Sequence, residues 1–132
     1  MENKSNEATP QRPEGDRTLN APLVEMNVVD FIQKVKAEPT WQESERNSIT
    51  IFKSDAMTIV LIGLHAQAEL KPHKANGTIS VQVLEGKIIF ATEYERAEIE
   101  KGQMIALQPN ITHSVVATTE SFFLLTLVPD RI

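Results

Sequence analysis

From residue 48 onward the chain repeats one pattern: short runs with apolar side chains at every second position, set off by Gly, Pro, Asn or Asp. A period of two places alternate side chains on opposite faces of a strand. The run at 79–84 shows this most plainly, with Ile79, Val81 and Val83 on one face and Ser80, Gln82 and Leu84 on the other. Further strands are predicted at 48–53 and 57–64, joined by a hairpin through Ser54-Asp55-Ala56, and at 87–92, 97–100, 104–107, 113–117 and 122–128. Glu85-Gly86, Lys101-Gly102 and Pro109-Asn110 supply turns, and residues 66–72 read as a connecting loop. In the last strand Phe122, Leu124 and Thr126 alternate with Phe123, Leu125 and Leu127, so both faces are apolar and both should be buried. The whole is an all-β domain of roughly eight or nine short strands.

Ahead of the strands the period changes. Val28, Phe31, Ile32 and Val35 fall at helical spacing, and Asn27 stands where an N-cap belongs, with Asp30 three residues on. This predicts one short helix at about 27–36, stopped by Pro39 and covering an open face or end of the β structure. Trp41, the only tryptophan, is placed to anchor that helix. Residues 1–22 carry Pro10, Pro13, Gly15 and Pro22 among charged and polar neighbours, and read as a disordered tail before a single domain at 23–132.

Composition narrows the chemistry. The absence of cysteine removes disulfides, thiolate metal sites and cysteine nucleophiles. A net charge of −5 with scattered lysines gives no nucleic-acid footprint. No apolar run approaches a membrane span and the first residues lack a signal-peptide pattern, so the expected compartment is the cytoplasm. Ser114 adjoins His113, but neighbouring strand residues face opposite ways, which rules out a Ser-His pairing there. No glycine-rich phosphate cradle precedes a helix.

What remains is a pair of histidines, His73 and His113, forty positions apart and each at the start of a strand. Around them the chain resembles the cupin superfamily. That family's first motif runs from a glycine through His-x-His and a glutamate to a closing glycine. Here His73 matches the first histidine, and Val83-Leu84-Glu85-Gly86 matches the ending. Ala75 holds the second histidine's place, Ile79 the glutamate's and Gln67 the opening glycine's. The second motif starts at Gly102, passes Pro109, Asn110 and Ile111 where Pro-x-Gly is usual, and reaches its histidine at His113; Ala117 replaces the closing asparagine. The resemblance spans about half the chain. It implies a double-stranded β-helix, or jelly-roll barrel, with a short N-terminal helix and with Ile79, Val81, Val83, Ile111 and Val115 lining the barrel.

It further implies a metal held inside the barrel by three imidazoles and a carboxylate, of which this chain keeps His73 and His113. His65 is the natural recruit, if the strand face it shares with Ile59, Leu61 and Gly63 looks inward. The cofactor expected is therefore none, or one divalent transition metal: zinc, iron, manganese or nickel. Lys71 and Lys74 flank His73 and would draw a carboxylate to the pocket mouth, where Gln108 also belongs. Three functions follow: a module binding or sensing a small molecule at His73 and His113; a metal-dependent oxygenase, isomerase or decarboxylase on His65, His73 and His113; or a structural barrel acting as a homodimer. A homodimer, back to back through the two-faced last strand, is the expected assembly.

Overall fold

The computed structural model describes residues 4–5 and 18–130. In chain order its elements are β1 (Lys4–Ser5), β2 (Thr18–Asn20), α1 (Val28–Ala37), α2 (Pro39–Glu43), β3 (Arg46–Lys53), β4 (Thr58–Leu64), β5 (Glu69–His73), β6 (Gly77–Glu85), β7 (Lys87–Thr92), β8 (Arg96–Glu100), β9 (Met104–Leu107), β10 (His113–Ala117) and β11 (Ser121–Pro129). Two antiparallel sheets carry the domain, one ordered β3-β4-β11-β6-β9 and the other β5-β10-β7-β8. They face each other without closing into one continuous barrel. β3 and β5 are their free edges on one side.

Strand periodicity builds the space between the sheets. Ile79, Val81 and Val83 of β6 point inward, are almost wholly buried, and meet Phe123, Leu64, Ile88, Phe90 and Val115 in one core. Each such side chain contributes about 1.5–3 kcal/mol on leaving water. The β6–β7 turn depends on Gly86, whose φ of +84° places it in the left-handed region. A Cβ there would strike the Glu120 carbonyl and Ser121.

A second core lies on the other face of the five-stranded sheet. Asn27 caps α1 by accepting a hydrogen bond from the Asp30 amide at 3.2 Å, and the helix buries Ile32 and Val35 against Ile49, Ile51, Leu61 and Phe122. Pro39 does not simply end the helical region. It opens α2 at a first-turn position where its missing N–H costs nothing, and α2 drives Trp41 onto Phe122, ring centroids 5.2 Å apart. Asn47 ties this layer to β3 by donating to the Val35 carbonyl and to Glu38 Oε1. The two-faced apolarity of β11 thus has its explanation within one chain: Phe123 faces the opposite sheet and Phe122 faces the helices.

Two expectations are corrected. Within the supposed tail at 1–22, residues 1–3 and 6–17 lie outside the described residues, but Thr18–Asn20 forms β2 and pairs with β1. Leu19 is 3% exposed, and hiding it from water helps hold that strand. Part of the supposed loop at 66–72 is strand β5, whose backbone is satisfied by pairing with β10. Pro72 is tolerated because β5 is an edge. Among the described residues no helix is long and apolar enough to cross a membrane.

Candidate functional site

His113 opens β10 as an inward-facing residue in line with the buried Val115 and Ala117. Its partner across the ladder is His73. Simple alternation along β5 would put His73 on the face opposite Leu70, outside the core. A bulge prevents this: Leu70 pairs with Val115 while His73 pairs with His113, so three steps on β5 match two on β10. The extra residue flips the parity, and His73 arrives on the inner side.

The two rings stand with centroids 4.4 Å apart and planes tilted by 58°. Each is fixed from behind in the same manner. His73 Nδ1 lies 2.8 Å from the Lys71 carbonyl and His113 Nδ1 lies 2.9 Å from the Ile111 carbonyl. A carbonyl only accepts, so in each neutral ring the proton is on Nδ1 and the Nε2 lone pair is left available. Phe90 stacks on His113 at 5.3 Å, nearly parallel. Burial pushes the His113 pKa below the ordinary imidazole value; the Ile111 carbonyl opposes this, and the nearby His73 adds to it. The loops carrying the two histidines are joined by the Asn110 amide, which donates to the Ala75 carbonyl.

His65 does not join them. In the β3–β4–β11 ladder Leu64 and Ile62 face the sheet interior, which turns Leu61 and Gly63 toward the helices. His65, beyond the end of β4, stacks on Trp41 with ring centroids 3.6 Å apart and donates from Nε2 to the Trp41 carbonyl at 2.7 Å. Its Nδ1 is 3.9 Å from Glu120. Among the described residues no three His, Asp or Glu side chains come together as a metal-holding group. The expected three-histidine centre is not formed.

Of the other expected residues, Lys71 and Lys74 are exposed beside His73, and Gln108 is exposed just after β9. Lys71 and His73 line a groove of about 1140 Å³ that runs along the open seam between β3 and β5, with Arg46, Ser48, Ile62, Glu69 and Leu70 also on its walls. Arg46 and Ser48 escape a reading of the sequence for motifs. Their signal is the alternation of Arg46, Ser48 and Thr50 with Asn47, Ile49 and Ile51, which marks β3 as having one polar face.

No protein-family model matches the chain, and no curated protein matches it by sequence. Its fold does match solved structures. A conserved protein of unknown function from Streptococcus pyogenes superposes with a TM-score of 0.68 at 22% identity, over 85% of this chain and 95% of that one. A cupin 2 conserved barrel domain protein from Leptotrichia buccalis is 32% identical with a TM-score of 0.61, over 66% of this chain and 42% of its own length. A salicylate 1,2-dioxygenase from Pseudaminobacter salicylatoxidans matches with a TM-score of 0.59 at 18% identity, over 64% of this chain and 26% of its own.

Proposed function

As a small cupin domain whose histidine pair gains no third metal-ligating side chain among its described residues, this chain works, we propose, as a small-molecule-binding module centred on His73 and His113. One observation carries the reading: both imidazoles are held through Nδ1 by backbone carbonyls with their rings 4.4 Å apart, so that in each neutral ring Nε2 is left as an acceptor. Burial favours the neutral form of His113, whose Nε2 then accepts a hydrogen bond, and its complement is a ligand bearing hydroxyl or amine donors.

A metal-dependent enzyme of the oxygenase, isomerase or decarboxylase class has one feature in its favour. Imidazoles that bind metals are commonly oriented from the far nitrogen by a carbonyl, as both are here. The donor set nonetheless does not fit a resident transition-metal centre, which takes three or more protein ligands in ordinary catalytic sites.

The test combines elemental analysis of protein purified without chelator with nitrogen NMR of the histidine rings. The expected result is less than stoichiometric metal, with the His113 Nε2 unprotonated at neutral pH and both ring signals shifting when a polyhydroxylated ligand is added. A full equivalent of transition metal, surviving dialysis and lost in His73→Gln, would overturn the metal-free reading.

A further inference from the structure

The inner surfaces of the two sheets are largely apolar, and besides the histidine pair the longest polar stretch on them is one face of β3. Arg46 pairs across the ladder with Leu64, Ser48 with Ile62 and Thr50 with Val60. Directly opposed residues share a face, and Leu64 and Ile62 belong to the core between the sheets. The edge strand β3 therefore turns Arg46, Ser48 and Thr50 toward the interior side, while Asn47, Ile49 and Ile51 lie under the helices. Across the open seam stand Leu70 and the bulge-rotated His73, in the same groove as Arg46 and Ser48.

Charge sorts itself by face. Glu69 also borders the groove, but it pairs with Val116, one step out of phase with the inward pair Leu70 and Val115, and so stands on the outer side of β5. Glu45 borders the groove just ahead of β3. Arg46 is the cation on the interior face of β3, and no ion pair engages it among the described residues. An exposed edge strand often carries cations merely to discourage strand pairing. Lys71, in the bulge of β5, fits that role; Arg46, opposite a core leucine, is turned into the cleft instead.

We propose that Arg46 is the anion-recognising residue of this cleft, and that the ligand is a small hydroxycarboxylate whose carboxylate meets the guanidinium while a hydroxyl donates to the Nε2 atom of His73, which lines the same groove. The guanidinium fork matches a carboxylate in two parallel hydrogen bonds. This assignment rests on the histidine pair being a ligand site and adds to it the charge of the ligand's other end.

The experiment titrates protein labelled in its arginine and histidine side chains with matched probes: gluconate against glucitol, and lactate against propanediol. The expected result is that both carboxylates shift the Arg46 guanidinium and His73 ring signals and bind about tenfold more tightly than their alcohols. Arg46→Gln should abolish that preference without altering the melting temperature, because Arg46 is exposed, and Arg46→Lys should retain part of it. Equal affinity of acid and alcohol, an Arg46 signal that no probe moves, or an unchanged preference in Arg46→Gln overturns the proposal. Alcohols that shift the histidines while Arg46 stays silent sink this inference alone. Carboxylates that bind at Arg46 equally well in His73→Gln leave the arginine site standing and sink the histidine-centred reading.

Discussion

Burying an imidazole sets the sign of its contribution to stability. The folded protein holds His113 below its ordinary pKa, chiefly through desolvation. Between that lowered value and about 6.5 the unfolded chain therefore binds more protons than the native one. Stability from this group is fully present above about pH 6.5 and is lost as pH falls through the folded pKa. Urea midpoints measured from pH 7.5 down to 5 should fall on acidification, and the fall should be smaller in His113→Gln; an equal fall in both proteins would remove His113 as its source. Gly86 offers a second test. Its left-handed φ and the close approach of Glu120 and Ser121 leave no room for a Cβ, so Gly86→Ala should lower stability by about 1–3 kcal/mol in denaturant titration. At this scale the sequence carried the identities of His73 and His113 but left open which way His65 faces. A strand's alternation states which residues share a face, not which face is covered by helices, and His65 went with the helix-covered side.

The decisive irregularity among the elements is the bulge in β5. Strand β6 could be read directly because β-branched residues alternate along it, whereas Glu69-Leu70-Lys71-Pro72-His73 has no such alternation and its edge position tolerates a proline. Neither the strand nor its extra residue is marked by composition; pairing with β10 creates both. Because side-chain parity is two, deleting Lys71 should turn three steps into two, so that His73 stays on Leu70's inner face in a regular ladder without the bulge. The expected outcome is a native circular-dichroism spectrum with the through-space contacts between the two rings retained. Loss of those contacts would mean that the bulge does more than absorb one extra residue. The helical layer was half legible: the stripe from Val28 to Val35 and the cap at Asn27 are explicit, but Pro39 was read as an ending when it begins a second helix. A proline's missing N–H is compatible with both, and only the burial of Trp41 decides between them.

Taken whole, the molecule is two apolar layers sharing one sheet, with β11 as the common member. Phe122 and Phe123 are neighbours in sequence and are both essentially unexposed, yet they belong to different cores. Trp41 packs only in the helix-side core, against Phe122 and His65, and losing it should cost about 3–5 kcal/mol, as for other large aromatic side chains truncated in a packed interior. The layered arrangement makes a sharper claim about how such losses combine. Residues in contact couple by about 0.5–3 kcal/mol, whereas separated sites add to within about 0.3–0.5 kcal/mol. Replacing Trp41 and Phe122 by leucine, singly and together, should therefore give a clearly non-additive cycle. Replacing Trp41 by leucine together with Val83 by alanine, on the opposite side of the sheet, should give an additive one. Additivity in the first cycle would show that Trp41 does not lean on Phe122. Strong coupling in the second would mean that the sheet transmits strain between its faces, in which case a ligand entering at the β3–β5 seam would also be felt by α1 and α2.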